Sequence, residues 1–190
     1  MAHYFEPSPG VTSSKATVAV VVPGASFTMH TDRGVALDLG CGTGAIAVTM
    51  ALRSPGLEVW AVDVNERARA LCAANAAAAG AVNVRVAAPD DVPAGLRVDV
   101  IWSNPPIRIG KDALHELLLA WLDRLVPDGT ALLVVQKHLG ADSLQRWLTE
   151  SGWPTSRAAS AKGYRLLQVH PSVEGHRSVE GGEIRPPTPG

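Results

Sequence analysis

Two short stretches of this 190-residue chain combine residue types that could hold a ligand and act on it. The first, Asn104-Pro105-Pro106-Ile107, follows an apolar run, and its two prolines donate no backbone hydrogen bonds. We expect the prolines to keep the chain stiff and extended where it leaves a strand, with the Asn104 side chain and the Pro105 carbonyl as paired acceptors. Such a pair suits a planar amine, either on a nucleic-acid base or in a glutamine amide. A plain surface turn is the competing interpretation.

The second stretch is a glycine-rich turn, Asp38-Leu39-Gly40-Cys41-Gly42-Thr43-Gly44, between an apolar run and a helical pattern. Glycines let backbone N–H groups approach a ligand closely. Asp63 follows the next apolar run, about 20 residues on, where a carboxylate can accept both hydroxyls of a ribose. A dinucleotide site and a nucleoside-type site share these features. An acid directly before the glycines, Asp38, disfavours a pyrophosphate and suits a cationic cofactor such as S-adenosylmethionine.

Alternating elements surround the two stretches. Short apolar runs predict strands over residues 35–39, 57–62, 82–87, 98–102 and 131–135. Helical spacing predicts helices over residues 45–52, from the cap Asn65 through 72–79 to the stop Gly80, over 111–125, and over 141–150. A turn is expected at Pro127-Asp128-Gly129. The alternation predicts an α/β fold with a mostly parallel sheet and helices on both faces. Two last runs, 155–160 and 164–170, predict an antiparallel hairpin at one edge.

The ends of the chain differ from this pattern. Residues 16–22 and 27–31, separated by a turn over 23–26, predict an N-terminal β-hairpin. From residue 171 the chain consists largely of proline, glycine, serine and charged residues, which predicts a disordered tail. We therefore expect a hairpin extension over 1–34, the main domain over 35–170 and the tail over 171–190.

Composition narrows the possible classes of protein. A hydrophobic content of 46% is enough for one core, and a formal net charge of −1 gives no overall basic field for nucleic acid. Two cysteines, Cys41 and Cys72, make neither a disulfide framework nor a metal cluster, which fits a reducing cytosol. The N-terminus lacks the layout of a signal peptide, and no apolar run approaches the roughly 20 residues of a membrane span. A metal-free, cytoplasmic monomer is the default expectation.

Taken together, the motifs resemble those of class I S-adenosylmethionine-dependent methyltransferases. More narrowly, the chain resembles the catalytic half of the small-subunit ribosomal RNA (guanine-N2)-methyltransferases, over residues 3 to 170. Besides the two motifs, the resemblance rests on the stretches His3-Tyr4-Phe5, Thr31-Asp32-Arg33-Gly34-Val35, Gln136-Lys137-His138-Leu139-Gly140 and Lys162-Gly163-Tyr164-Arg165. It implies a Rossmann-like methyltransferase fold with a seven-stranded sheet, S-adenosylmethionine as cofactor, and ribosomal RNA or the small ribosomal subunit as partner.

The resemblance also assigns roles to individual residues. The catalytic turn would be Asn104, Pro105, Pro106 and Ile107, with Asn104 also bordering the cofactor. Asp63 would hold the ribose, and Asp90, with Asp91 as the alternative, would contact the adenine. The other cofactor-binding residues would be Asp38, Gly40, Cys41, Gly42, Gly44 and Val64.

The substrate side is less specific. A basic rim for RNA phosphates would consist of Arg108, Lys111, Lys137, Lys162 and Arg165, although such residues can equally form a solvated face. Ile107 replaces the aromatic residue that is common after Asn-Pro-Pro in amine methyltransferases. Stacking on a base would then come from elsewhere, for which Tyr164 is the candidate, and packing in an edge strand is its competing role.

The chain departs from the family pattern at one point. In relatives, a segment that includes a helix closing one side of the cofactor pocket precedes the first strand of the domain, whereas here Val35 runs directly into Ala36. Two alternatives to the RNA methyltransferase stay open: a methyltransferase for a protein glutamine or a small-molecule amine, and a non-catalytic binding module. An NAD dehydrogenase is disfavoured, because Asp38 and the Asn-Pro-Pro turn have no role in one.

Overall fold

The computed structural model of the chain describes residues 18–22, 25–29 and 33–172, the first two segments by their backbone alone. Those two segments are β1 (Val18–Val22) and β2 (Ala25–Met29), which pair antiparallel as the predicted hairpin. Ala25 and Ser26, expected in the turn, belong to β2. The first 17 residues, and the predicted tail from residue 173 onward, lie outside the described residues.

Seven further strands form one sheet in the order β5–β4–β3–β6–β7–β9–β8. They are β3 (Gly34–Leu39), β4 (Leu57–Val62), β5 (Val84–Ala87), β6 (Val98–Ser103), β7 (Leu125–Gln136), β8 (Thr155–Ala161) and β9 (Tyr164–Val169). The first five in this order are parallel, whereas β9 runs antiparallel to both β7 and β8. The predicted α/β fold with an antiparallel hairpin at one edge is confirmed.

Four helices cover the two faces of the sheet. They are α1 (Ala45–Arg53), α2 (Glu66–Ala78), α3 (Lys111–Leu122) and α4 (Ala141–Glu150). Successive strand residues alternate between two buried clusters, so that Ala36 packs with α1 and α2 while Leu37 packs with α3 and α4. The predicted cap of α2 is confirmed, because the Asn65 side chain accepts the N–H groups of Arg67 and Ala68.

The segment between α3 and β7 corrects two predictions. The helix expected to reach residue 125 ends at Leu122, because Leu125 already pairs with Val98 as the start of β7. The expected turn at residues 127–129 is an irregularity inside β7, where the register shifts between Val98 and Val100. A Cβ on Gly129 would lie 2.9 Å from the Val126 carbonyl oxygen, so only glycine fits this crowded point.

The Val35–Ala36 junction, where the resemblance implies a further segment, lies inside the sheet. Val35 and Ala36 are consecutive residues of β3, in register with Glu58 and Val59 of β4. The N–H of Val35 donates to the Asp99 carboxylate at 2.7 Å, which fixes the start of the strand.

No helix in the described part of the chain has the length and hydropathy needed to cross a bilayer.

Candidate active site at the carboxyl edge of the sheet

The glycine loop after β3 and the Asn-Pro-Pro-Ile turn after β6 lie side by side. β3 and β6 are parallel neighbours, and their last residues, Leu39 and Ser103, are partners in the register. A Cβ built on Gly40 would lie 3.9 Å from the carbonyl oxygen of Asn104. The two stretches that the sequence singles out therefore form one site, at the edge where open α/β sheets bind ligands.

The glycine loop adopts a left-handed backbone conformation that residues with side chains rarely adopt. Gly40, Gly42 and Gly44 have φ angles of 75°, 53° and 82°, in the left-handed region. The N–H groups of Gly40 and Cys41 both donate to the Val62 carbonyl, at 2.8 and 3.0 Å, which ties the loop to the end of β4. No atom lies within 4 Å of the position of a Cβ on Gly42, so this side of the loop faces open space.

Asp38 has a structural role that the sequence did not show. Its side chain is only 1% exposed, and its carboxylate accepts the N–H of Ala47 at 2.9 Å. The N-cap residue Gly44 has no side chain that could cap α1. Asp38 of β3 therefore accepts one of the N–H groups that are free in the first turn of this helix. Burial raises the pKa of Asp38 to about 7, the Ala47 hydrogen bond opposes this, and the Asp63 charge adds to it. A cation nearby would favour the ionised form.

Asp63 connects the glycine loop to α2. Its two carboxylate oxygens accept the N–H groups of Gly42 and Asn65, each at 2.9 Å. The side chain is half-buried at the end of β4, where oxygen lone pairs remain for further donors. Val64 beside it is 80% exposed, and Asp90 is exposed in a short helical turn after β5. These positions lie along the same edge as the glycine loop.

Cys41 lies within the loop but has no accessible thiol chemistry. Its side chain is 7% exposed, and burial raises the pKa of the thiol well above its usual range. The neighbouring Cys72 of α2 is fully buried, and a Cβ on Gly44 would lie 2.4 Å from its sulfur. Both cysteines therefore act as small packing residues against the loop.

The Asn-Pro-Pro-Ile turn presents its asparagine as predicted but bends sooner than expected. Asn104 is exposed, and its side chain forms no hydrogen bond with another described residue. Pro106 has φ −76° and ψ 76°, and the Pro105 carbonyl accepts the Ile107 N–H at 2.9 Å. This is an inverse γ-turn, so the prediction of an extended chain is wrong. A carbonyl can accept two hydrogen bonds, and Ile107 is the one donor to the Pro105 oxygen among the described residues, although Pro105 itself is buried.

Four of the predicted substrate residues lie near this turn or at the same edge. Lys111 begins α3 and is exposed, and Lys137 is exposed directly after β7. Lys162 is exposed in the β8–β9 turn, whose Gly163 carbonyl accepts the Lys137 N–H at 2.7 Å. Tyr164 is half-buried, and its hydroxyl accepts a hydrogen bond from the Gln136 amide at 3.0 Å. It belongs to β9 inside the sheet, so the expectation of an edge strand is wrong for it.

Arg165 does not lie on the exposed rim that the sequence predicts. The residue is 7% exposed, and its guanidinium pairs with Asp142 in the first turn of α4. Arg157 donates to the same carboxylate at 3.0 Å. The apolar neighbours Leu166 and Leu167 hold this part of β9 in the core, so the arginine is buried, whereas its partner Asp142 is exposed. The backbone places Arg108 in the short helical turn Ile107–Ile109, beside the catalytic turn.

Two further residues at the site were missed by the sequence reasoning. The Ser103 hydroxyl donates to the Leu39 carbonyl at 2.8 Å and joins the two strand ends. Trp102 is fully buried on the other side of β6, with an indole N–H that has no partner among the described residues. A serine at a strand end gives no sequence signal, whereas a tryptophan in an apolar run is expected in the core.

The residues of this edge fit S-adenosylmethionine. The open side of Gly42 leaves room for a ligand against the backbone, as a methionine chain requires. Asp63 has acceptor capacity for ribose hydroxyls, and the acids Asp38 and Asp63 favour a cation over a pyrophosphate. The glycine loop and the Asn-Pro-Pro-Ile turn lie at the ends of adjacent strands, as the donor and acceptor sites of a methyl transfer would.

Comparisons with known proteins agree with this site. The chain belongs to the family of methyltransferase small domains, whose model matches residues 24–168. Family and fold imply S-adenosylmethionine as the cofactor. A release factor glutamine methyltransferase from Bordetella pertussis is 39% identical over 204 residues, which cover 97% of this chain and 74% of that protein.

Two other proteins extend the comparison. A ribosomal RNA small subunit methyltransferase C from Shewanella loihica is 33% identical over 116 residues, 58% of this chain but only 34% of that protein. The crystal structure of a methyltransferase from Pyrococcus furiosus superposes with a TM-score of 0.64 at 22% identity, covering 74% of this chain and 76% of that one. This last likeness establishes the fold.

Proposed function

We propose that this protein transfers the methyl group of S-adenosylmethionine to the exocyclic N2 amine of a guanine in ribosomal RNA. The observation that supports the proposal is the placement of Asn104. The residue is exposed, follows β6 and precedes Pro105, and its backbone carbonyl lies beside the glycine loop. Its side-chain amide has no hydrogen-bond partner among the described residues. The main domain over residues 35–170 contains all of these parts, and the small ribosomal subunit is the proposed partner.

The acceptor pair addresses the difficulty of methylating an amine on a base. Such an amine is a poor nucleophile, because its lone pair is delocalised into the ring. The Asn104 side-chain oxygen and the second lone pair of the Pro105 carbonyl accept its two hydrogens. This draws the nitrogen toward a tetrahedral shape and directs its lone pair at the cofactor side. The bound cofactor supplies a methyl group on a sulfonium. One amine proton passes to solvent after the N–C bond has formed and the C–S bond has broken.

Ile107 bears on the choice between guanine and glutamine as the substrate. The residue is half-buried against the α3–α4 core and gives the turn an apolar wall where many amine methyltransferases have an aromatic residue. Guanine is supported by the similarity to the ribosomal RNA small subunit methyltransferase C from Shewanella loihica. Glutamine is the second candidate, because the relative from Bordetella pertussis is named for that activity and aligns along most of the chain.

A parallel transfer assay distinguishes the two substrates. Purified protein and S-adenosylmethionine with a radiolabelled methyl group are incubated with bacterial small ribosomal subunits from a strain lacking this gene, and separately with a bacterial release factor. We expect label in the ribosomal RNA and N2-methylguanosine after nuclease digestion. Label found only in release factor would overturn the RNA proposal in favour of glutamine. The Asn104→Ala variant controls for contaminating methyltransferases.

Calorimetry tests the third possibility, a binding module without catalysis. We expect S-adenosylhomocysteine to bind the folded chain with a dissociation constant in the micromolar range, about 1–100 μM, or about 5–8 kcal/mol. An intact, folded chain without detectable binding would contradict both enzymatic proposals. The Asp63→Ala variant is the matched control, because it removes the proposed ribose acceptor. Asp63 follows β4, so the residues of the strand itself are unchanged.

A further inference from the structure

A groove of about 450 Å³ opens between α3 and α4 beside the catalytic turn. Ile107 of the turn and Leu139, which follows β7, line its end at the carboxyl edge of the sheet. Leu139 is an apolar side chain with 38% of its surface exposed. Because Ile107 belongs to both, the groove is continuous with the proposed catalytic turn.

Two aromatic rings join the helices across this groove. His115 of α3 and Trp147 of α4 are stacked with their centroids 3.4 Å apart and their planes inclined by 7°. Both residues are partly exposed and line the groove. Burial and the nearby Lys111 lower the pKa of His115, with Asp112 opposing, which favours the neutral imidazole. A neutral stacked pair offers a surface on which another flat ring can stack.

Positive charge lies along the same groove. The exposed side chains of Lys111 and Arg146 line it, and Glu150 at the end of α4 is its one acidic lining residue among those described. α3 and α4 both begin after a glycine, Gly110 and Gly140, without a side-chain cap, so the positive ends of two helix dipoles point toward the catalytic edge.

The acids in the first turns offset this charge only in part. Asp142 of α4 shares its carboxylate between Arg157 and Arg165, so two positive charges face one negative charge there. Asp112 of α3 directly follows Lys111 and offsets part of its charge, but it does not line the groove. The groove therefore combines cations, uncapped helix ends and aromatic rings, which is how proteins bind single-stranded nucleic acid.

We propose that the α3–α4 groove binds a nucleotide next to the target guanine on a single-stranded RNA, with its base on the His115–Trp147 pair and its phosphate at Lys111 and Arg146. This inference rests on the proposed function, because it extends the same RNA strand beyond the amine held at Asn104. A peptide is the less favoured occupant, since cations beside an aromatic surface match the phosphate and the base that every nucleotide carries.

Charge reversal tests the phosphate contacts. In the double variant Lys111→Glu/Arg146→Glu we expect the KM for small subunits to rise about tenfold or more. The slope of log Kd against log salt for a short, fluorescein-labelled single-stranded RNA should fall by about 0.7, because one phosphate contact is lost. Arg97→Glu is the matched control, because Arg97 is exposed at the amino end of β6, away from the site.

Fluorescence tests the stacking contact without depending on activity. Trp147 is one of five tryptophans, and it is the one that lines the groove. We expect the same RNA to quench the intrinsic fluorescence of the wild-type chain, and the quenching to be lost in Trp147→Phe. Phenylalanine keeps an aromatic ring in the contact with His115, so the helix pair stays packed.

The outcomes separate the inference from the proposed function. If wild-type protein methylates ribosomal RNA while the double variant keeps the wild-type KM and salt slope, the groove inference is wrong and the function stands. An equal loss in Arg97→Glu also overturns it. If the protein methylates only release factor, and the groove variants raise the KM for that protein, the groove is a peptide site and both RNA proposals fail.

Discussion

The hydroxyl of Ser103 donates a 2.8 Å hydrogen bond to the carbonyl oxygen of Leu39, across the last register position of β6 and β3. The serine is fully buried, and Leu39 is 5% exposed. The next residue of each strand, Asn104 and Gly40, begins one of the two loops of the site. This bond therefore sets the spacing between the catalytic turn and the cofactor loop at the point where both leave the sheet.

Removing this hydrogen bond should affect both stability and turnover. We expect Ser103→Ala to lower the free energy of unfolding by about 1–2 kcal/mol, because it leaves a buried carbonyl with one partner fewer. The kcat should fall because the turn is less well fixed, whereas the affinity for S-adenosylhomocysteine changes little. Denaturant unfolding and steady-state kinetics measure these effects. Ser156→Ala, at an exposed position of β8, is the control, and equal behaviour of the two variants would contradict the prediction.

Asn104 should be required for turnover but not for cofactor binding. We expect Asn104→Ala to lower kcat by about 100-fold or more, because the amine loses the acceptor that orients its lone pair. Asn104→Asp keeps an acceptor at the same place and should retain more activity than the alanine variant. Calorimetry with S-adenosylhomocysteine checks that both variants bind the cofactor as the wild type does. A kcat for Asn104→Ala close to that of the wild type would show that another group orients the amine.

The sequence predicts the site better than the residues that support it. Glycines and prolines at strand ends mark both loops, and parallel strands bring such ends to one edge, so the approach of Gly40 and Asn104 follows from local patterns. Arg165 could not be placed in this way. Its burial depends on Asp142, which is distant in the chain and meets it only through the docking of α4. The irregularity in β7 likewise depends on pairing with β6.

Asp38 should make stability depend on pH. Burial raises its pKa from 3.8 to about 7, so between these values the folded chain holds a proton that the unfolded chain has lost. Stability contributed by the protonated form is therefore present at low pH and is lost as pH rises toward 7, by at most about 1.4 kcal/mol per pH unit. In Asp38→Asn the neutral amide still accepts the Ala47 N–H, and this slope should vanish.

Urea unfolding of both proteins at several pH values between 4 and 8 measures this effect. All other titrating groups are shared, so the difference between the two free energies of unfolding isolates Asp38. We expect the free energy of unfolding of the asparagine variant to increase relative to that of the wild type as pH rises toward 7. Above pH 7 the difference between the two should stay constant. Parallel curves would mean that Asp38 titrates in the folded chain as it does in the unfolded one.

The contact between Gly44 and Cys72 should make the third loop glycine the least replaceable. A Cβ on Gly44 would lie 2.4 Å from the Cys72 sulfur and 3.2 Å from its Cα, at a φ of 82°. We expect Gly44→Ala to cost about 2–4 kcal/mol, from the left-handed backbone and from overpacking together. Gly42→Ala, with open space around it, should cost about 1 kcal/mol from the backbone alone.

A double-mutant cycle separates the two terms at Gly44. In the background Cys72→Ala, the sulfur that meets the new Cβ is gone, so Gly44→Ala should cost less than it does in the wild type. The difference is the overpacking against the sulfur, and the remainder is the cost of the backbone together with the 3.2 Å contacts to the Cα and Cβ of residue 72. Thermal or denaturant unfolding of the four proteins gives both values. A cycle without coupling would show that the loop and α2 move apart to admit the methyl group.

Lys162 should lower the free energy of unfolding of the chain while it contributes to substrate binding. It is the non-glycine residue with a positive φ, 47°, in the described part of the chain, and it is followed by Gly163 in the two-residue β8–β9 turn. Asparagine tolerates this backbone better than lysine does. We expect Lys162→Asn to raise the free energy of unfolding by about 0.5–1 kcal/mol, because it relieves left-handed strain. The KM for small subunits should rise, because a proposed phosphate contact is lost.

Lys137→Asn is the matched control. It removes a neighbouring exposed cation without relieving strain, so it should raise the KM with no gain in stability. Equal stabilities of the two variants would show that the strain at Lys162 is negligible.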